Sequence, residues 1–259
     1  MKQEKKLSKV PRISRPGEEL ELGSPVTMRV RSVNGLQVFL AAPVNLQGHV
    51  HATQLVDVGD LGSQGSLPLA RMQKSRALEA RVLRLKRRGK VWHLELTCRP
   101  SLLKTSDVQQ AMISWSNLKP QMTLAAAVVS VHKSHLWMEV AAGIKGRVAL
   151  LDASNDQAVL RSLGEHFKAG QVFSARVLRV KGSHKELDLS LLPDMPQKKL
   201  LGQLTKVQEA ALAATLQLPN KRWGAVHITE LFDVWTKQPT QRLKVGSFYE
   251  VPSLEALQA

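Results

Sequence analysis

The chain has 259 residues, which is long enough for two domains with separate cores and part of a third. Thirty-seven lysines and arginines against 21 acidic residues give a formal net charge of +16, which points to a polyanionic partner, with nucleic acid ahead of an acidic membrane surface. The single cysteine, Cys98, excludes an internal disulfide and a cysteine-rich zinc site, and no apolar run approaches the roughly 20 residues of a membrane-spanning helix.

The first segment, residues 1–21, reads as a basic flexible tail. It carries Pro11 and Pro16 and lacks apolar periodicity, so we interpret it as a solvated linker. A nuclear-targeting or phosphate-contacting arm is the alternative interpretation.

Two units with one shared pattern follow, over 22–101 and 118–192. Each has five short runs of period-two alternation, separated by turns with Gly, Asn or Ser: 26–33, 36–40, 48–55, 78–86 and 92–97, and then 124–131, 136–140, 146–151, 173–181 and 186–191. Such alternation is typical of β-strands. Five short strands suit a small closed barrel, because closure leaves no sheet edge exposed.

The connections and the end of the chain are less regular. A short helix is predicted over 156–163 with Gly164 as its C-cap, and the linker 102–117 contains a helix-compatible stretch over 106–113. Within 193–259, runs 212–218 and 224–231 repeat the pattern a third time, and a fourth strand begins near Lys244. We therefore expect an incomplete third barrel, in a chain that is a fragment or an alternative terminus of something longer.

Three segments of the sequence resemble a known family, and two of them are the third runs of their units, which begin with a glycine. Gly48-His49-Val50-His51-Ala52-Thr53, the segment 224–230 and the closing run 187–190 resemble the S1-type RNA-binding domain of ribosomal proteins, an oligonucleotide-binding (OB) barrel. The junction from 97–102 to 118–122 is similar to those of nucleolar, many-repeat ribosomal-RNA-processing factors. The resemblance implies a mainly β chain of tandem five-stranded OB-fold barrels with short connecting helices. It also implies a nuclear and nucleolar, non-enzymatic protein without cofactors, whose partners are pre-ribosomal RNA and ribosome-assembly proteins.

The resemblance further implies that RNA crosses the second and third strands of each barrel, with bases on stacking groups and cations along the phosphates. The family's stacking aromatic falls on Gln37, Trp137 and Thr215, and its motif histidine falls on His51, Ala149 and His227. On the fourth strand, Lys86 and Lys181 stand where the family carries an acidic residue. The predicted RNA contacts are His51, Arg84, Lys86, Arg87, Arg88, Lys90, Lys133, Trp137, Arg179, Lys181 and His227.

Plainer interpretations stay open for these residues. Trp137 is equally explained as a core residue, the histidines as ordinary strand residues, and the cluster 84–90 as a solvated hairpin tip. Four other tryptophans are interpreted as structural: Trp92, Trp115, Trp223 and Trp235.

Enzymatic activity is not expected, because no phosphate-binding glycine loop, zinc-protease motif or nucleophile elbow occurs in the sequence. His49 and His51 lie two apart on one strand but have no evident third metal ligand. The main alternative to RNA binding is a protein–protein scaffold of degenerate barrels within a pre-ribosomal assembly.

Overall fold

The computed structural model describes residues 20–41, 46–89, 91–193, 199–208, 213–230, 237 and 239–252. Within these ranges, strands dominate and helices are short. None of the described helices has the length and hydropathy to cross a bilayer.

The first unit is a closed barrel whose strands are hydrogen-bonded in the order β1-β2-β3-β5-β4. β3 and β5 run parallel, and the other neighbours are antiparallel. On β1, Val26, Met28 and Val30 point inward while the residues between them are exposed, so period-two alternation selects the core face. The strands are β1 (Pro25–Asn34), β2 (Gln37–Ala41), β3 (Leu46–His51), β4 (Ala77–Arg88) and β5 (Val91–Thr97).

The second unit is a closed barrel of the same topology, in the order β10-β8-β7-β6-β9. Three short helices, α2 (Leu150–Ala153), α3 (Gln157–Arg161) and α4 (Leu163–His166), connect its third and fourth strands. Two five-stranded barrels confirm the fold class expected from the sequence. The strands are β6 (Thr123–Val131), β7 (His135–Ala141), β8 (Ile144–Ala149), β9 (Val172–Lys181) and β10 (Glu186–Ser190).

Three local predictions were wrong. Helix α3 ends at the cap residue Ser162, and Gly164 lies inside α4 with open space around its Cα, so it is not a C-cap. The stretch 106–113 forms only a 3-10 turn at Gln109–Ala111, preceded by the short helix α1 (Pro100–Leu103). Leu20, assigned to the tail, is buried in the first core.

The third unit is a four-stranded sheet in the order β13-β12-β11-β14. It contains a short fourth strand, β14, which the sequence pattern located only by its start. Residues 253–259 lie outside the described structure. The strands are β11 (Lys199–Gln208), β12 (Ala213–Gln217), β13 (Trp223–His227) and β14 (Phe248–Pro252).

Successive units pack in the same way. The first and fourth strands of the second barrel lie on the connection that follows β3, where Ala125 and Ala127 join an apolar cluster with Ala52. The first strand of the third sheet lies on α2 and α3, where Leu201 packs on Leu151 and Leu160. The connection between the third and fourth strands of one unit is thus covered by the next unit, and this packing repeats from the first unit to the third.

Candidate nucleic-acid interface

A row of outward-facing side chains crosses the second barrel. Cross-strand pairing places Trp137 opposite Arg147, Arg147 opposite Asp188, and Asp188 opposite Arg179. Trp137 is 38% exposed, whereas its neighbours Leu136 and Met138 are fully buried. Exposure places Trp137 on the surface, which removes the interpretation of this residue as core.

The same register in the first barrel gives a corresponding row. Phe39 lies opposite His49, His49 opposite Glu95, and Glu95 opposite Arg84. Phe39 is also 38% exposed. The stacking position of this barrel is therefore Phe39, and its assignment to Gln37 was wrong by two residues. Gln37 corresponds to His135, since each lies opposite the last residue of its third strand.

Two histidines that the sequence analysis did not select extend the row of the second barrel. The rings of His132 and His135 are stacked at a centroid distance of 4.6 Å, and His135 meets Trp137 edge-on at 5.9 Å. Burial, together with the nearby His132 and Arg147, lowers the pKa of His135, so its ring is neutral at pH 7. Three adjoining rings offer π-faces to bases, and the exposed Lys133 lies in the same turn. The alternation of β7 could have identified His135, but the stacking of its ring depends on the turn conformation.

The cations of the fourth strands differ in their partners. Arg84 lies 3.5 Å from Glu95, Arg179 donates to Asp188 over 3.0 Å, and Lys181 lies 3.1 Å from Glu186. Lys86 and Arg88 are exposed and have no acidic partner among the described residues. Among the predicted contacts on the described residues, these two and Lys133 are therefore cations that have no ion pair and are free to meet phosphates.

The hairpin between β4 and β5 carries a cation–π contact near its tip. The Arg87 guanidinium lies 5.8 Å from the ring centroid of Trp92, a cation–π contact, and its Nε donates to the Gly89 carbonyl at 3.1 Å. Trp92 and Trp115 pack against their cores as expected. Lys90 and Trp235 lie outside the described residues.

His51 is not a surface group. It is 3% exposed, its Nδ1 accepts the amide of Thr53 at 3.3 Å, and its Nε2 lies 3.8 Å from the Glu139 carboxylate of the second barrel. Burial lowers the pKa of His51, more than Glu139 raises it. The prediction of an RNA contact at His51 is therefore corrected: the ring caps a 3-10 turn and fills the junction between the barrels.

His227 makes the same cap in the third sheet, where its Nδ1 accepts the amide of Thr229 at 3.4 Å, but here the residue is exposed. The position of Phe39 and Trp137 is occupied by Thr215, opposite Ala225. Trp223 is 63% exposed, so its interpretation as structural was wrong. In the described part of the third sheet, the row carries Thr215 and Ala225 and no aromatic group.

The face offers no evident metal site, since no group of three or more potential ligands occurs among the described residues. Burial lowers the pKa of His49, against the opposing effect of Glu95, so this ring is neutral at pH 7 and offers a hydrogen bond or a stacking surface. Hydrogen bonds from Lys221 and Arg179 hold the pKa of Asp188 below its usual value although burial raises it. The arrangement suits stacking and charge pairing.

Comparison with known proteins agrees with this geometry. Residues 118–191 match the family model described as the RRP5 S1 domain. The chain is 27% identical over 228 residues to "rRNA biogenesis protein rrp5" of Schizosaccharomyces pombe, which covers 79% of the chain and 13% of that protein. It is 23% identical over 281 residues to "rRNA biogenesis protein RRP5" of Arabidopsis thaliana, covering 91% of the chain and 14% of that protein.

Among solved structures, the a/eIF2alpha-aDim2p-rRNA complex from Pyrococcus horikoshii aligns with 22% identity and a TM-score of 0.27, over 29% of this chain and 44% of that one. The chain spans only 13–14% of the length of the curated relatives named above. Residues 118–191 are an S1 domain of the RRP5 type, in a chain that is similar to Rrp5 proteins over most of its length.

Proposed function

We propose that the chain is a non-enzymatic RNA-binding scaffold of tandem S1-type domains that acts in ribosomal RNA processing. The observation that carries the proposal is the outward row repeated in the same register in two barrels, with Phe39 beside His49 and Trp137 beside Arg147. A ring beside a hydrogen-bonding or cationic group is what a stacked nucleotide requires. The net charge of +16 favours the same partner.

The site consists of residues from both barrels, and its affinity comes mainly from phosphates. It comprises Phe39, His49, Lys86, Arg87, Arg88, Lys90, Lys133, His135, Trp137 and Arg147, with Arg84, Arg179 and Lys181 in secondary roles because each already has an acidic partner. The names of the relatives, which print rRNA biogenesis, support ribosomal RNA as the ligand, and we further propose ribosome-assembly proteins as partners and the nucleolus as the location.

One observation favours a second candidate, a protein–protein scaffold. Three of the predicted phosphate contacts are neutralised by acidic neighbours, and the third sheet carries Thr215 where the barrels carry an aromatic ring. A unit of this kind has less to offer RNA. The third sheet is therefore the part of the chain that suits a protein partner.

A filter-binding titration separates the two functions. The full chain is titrated against a labelled single-stranded RNA and a structured RNA between 50 and 200 mM salt. RNA binding predicts that the logarithm of the affinity falls by about 0.7 for each contacted phosphate per unit of log salt concentration, with single-stranded RNA preferred. Undetectable or salt-independent binding would refute the RNA proposal and leave the protein scaffold.

A further inference from the structure

The two junctions between successive units are built alike but filled differently. Ala149 holds the position of His51, since each ends its third strand opposite the first residue of the second strand. Gln217 holds the position of Glu139, since each pairs with the corresponding residue of the preceding strand, Gln203 and Ala127 respectively. Positions 51 and 139 at the first junction therefore correspond to positions 149 and 217 at the second.

Protein side chains close the first junction. His51 is 3% exposed, and its Nε2 lies 3.8 Å from the Glu139 carboxylate. The Thr53 hydroxyl donates to the Val140 carbonyl across the same boundary at 3.2 Å. The buried imidazole occupies this junction, and the carboxylate beside it places a negative charge against a phosphate.

The second junction is open. Alanine at position 149 removes the imidazole, and a neutral amide replaces the carboxylate at position 217. A cleft of about 270 Å³ lies there, and its lining includes His135, Arg147, Gln217, Lys221 and Asp152, whose carboxyl accepts the Asn220 amide at 2.9 Å. This volume is just below the roughly 300–1,000 Å³ of pockets for drug-sized ligands, so the cleft suits a single nucleobase and its sugar.

The groups around the cleft match a nucleotide. Arg147 is half-buried and has no hydrogen-bond or ion-pair partner among the described residues, so its guanidinium donors are available to a phosphate. Lys221 adds a second cation, held 2.9 Å from Asp188. The amide of Gln217 provides donors and an acceptor, and Gln203, whose nitrogen donates to the Gly246 carbonyl at 3.1 Å, keeps its oxygen as an acceptor, which is how side chains read base edges.

The cleft also lies on the expected path of the RNA. Arg147 lines it and is the cross-strand neighbour of Trp137, and His135, which lines it as well, meets the Trp137 ring edge-on. A strand stacked on Trp137 reaches the cleft without a gap. We propose that the cleft between the second barrel and the third sheet binds one nucleotide of this strand, with its phosphate on Arg147 and Lys221 and its base against the glutamine amides.

The inference rests on the proposed function and deepens it, because it makes the third sheet part of the RNA site although its own row lacks an aromatic residue. It also gives a physical reason for the loss of the motif histidine in the second barrel: the histidine that closes one junction would block the other.

The test uses the full chain, fluorescein-labelled oligouridine and fluorescence anisotropy. Ala149→His restores the side chain that closes the first junction, and Lys221→Gln removes the second cation. Ala142→His, in an exposed turn, and Lys199→Gln, whose exposed pair with Glu250 spans 2.9 Å, are the matched controls.

We expect Ala149→His to weaken binding roughly 10- to 140-fold, the range for one lost hydrogen bond to a charged group at about 1.5–3 kcal/mol. Lys221→Gln lowers the steepness of the salt dependence by less than the roughly 0.7 to 1 of an unpaired phosphate contact, because Asp188 lies 2.9 Å from Lys221, and the controls bind like the parent chain. If Ala149→His does not fold, as judged by its thermal unfolding, Gln217→Ala takes its place, with an expected loss of about 2- to 10-fold for one hydrogen bond.

The outcomes separate the two claims. If both cleft variants behave like their controls while Trp137→Ala still weakens binding, the cleft inference is overturned and the RNA function stands. If the parent chain does not bind the RNA, both are overturned.

Discussion

Truncation of Trp137 probes the aromatic row directly. The ring is 38% exposed and contacts only the edge-on ring of His135 among the aromatic groups of the described structure, so one face is free to stack with a base. One stacked base is worth about 1–3 kcal/mol. At 1.4 kcal/mol per factor of ten, Trp137→Ala should weaken RNA binding roughly 5- to 140-fold.

Fluorescence anisotropy with a labelled single-stranded RNA at fixed salt measures the change. Trp137→Phe keeps a ring and should retain most of the affinity, and Leu22→Ala truncates a 53% exposed apolar side chain away from the row and should change nothing. Phe39→Ala should produce a loss in the same range, because Phe39 holds the same register in the first barrel. A loss below about twofold in a folded Trp137→Ala protein that still responds to salt would refute stacking on this row.

Three further predictions concern charge, packing and protonation. In a filter-binding series, Lys86→Gln should lower the steepness of the salt dependence of RNA binding by about 0.7 to 1. Lys181→Gln should lower it by less, because Glu186 lies 3.1 Å from Lys181, and equal effects would contradict the role assigned to ion pairing. Gly146→Ala should lower the melting temperature by roughly 2 to 12 °C, at about 1–3 kcal/mol for overpacking, because its Cβ would lie 2.7 Å from Leu189 Cδ1, whereas an unchanged melting temperature would show that the barrel yields. Burial raises the pKa of Asp152 from 3.8 to about 6, so the stability contributed by its protonated form is present below about pH 4 and lost as the pH rises through 6. In urea unfolding, Asp152→Asn should therefore be more stable than the parent chain at pH 7.5, by up to about 3 kcal/mol, but not at pH 4, and a difference independent of pH would exclude this cause.

Alternation predicted the barrels but not the alignment of their motifs. The inward residues Val38 and Leu40 are fully or nearly fully buried, so they fix Phe39 as outward, and the same rule fixes Trp137 between Leu136 and Met138. Alignment of the family motif on Gly35 failed, because it places the aromatic on Gln37, two residues before Phe39, although the hairpins from Ser32 to Phe39 and from Ser130 to Trp137 pair in the same register. A two-residue shift keeps the same face, so the hydrophobic pattern alone does not detect it.

The environment of His51 depends on the next unit. From sequence, His51 and His227 carry the same motif and make the same cap. Only His51 is covered in the described structure, because β6 and β7 of the second barrel lie on the connection after β3. Packing between units depends on tertiary contacts that a single-strand pattern does not encode, and the contact of Lys221 with Asp188 follows from the same packing.

The most direct test of the account is to map where RNA touches the chain. The full chain is photo-crosslinked to single-stranded RNA that carries 4-thiouridine, and the modified peptides are located by mass spectrometry. The account predicts crosslinks on β2 and β7, at or beside Phe39 and Trp137, and their loss in high salt. Crosslinks confined to β1 and β6, the strands of the two barrels that the row does not cross, would contradict it.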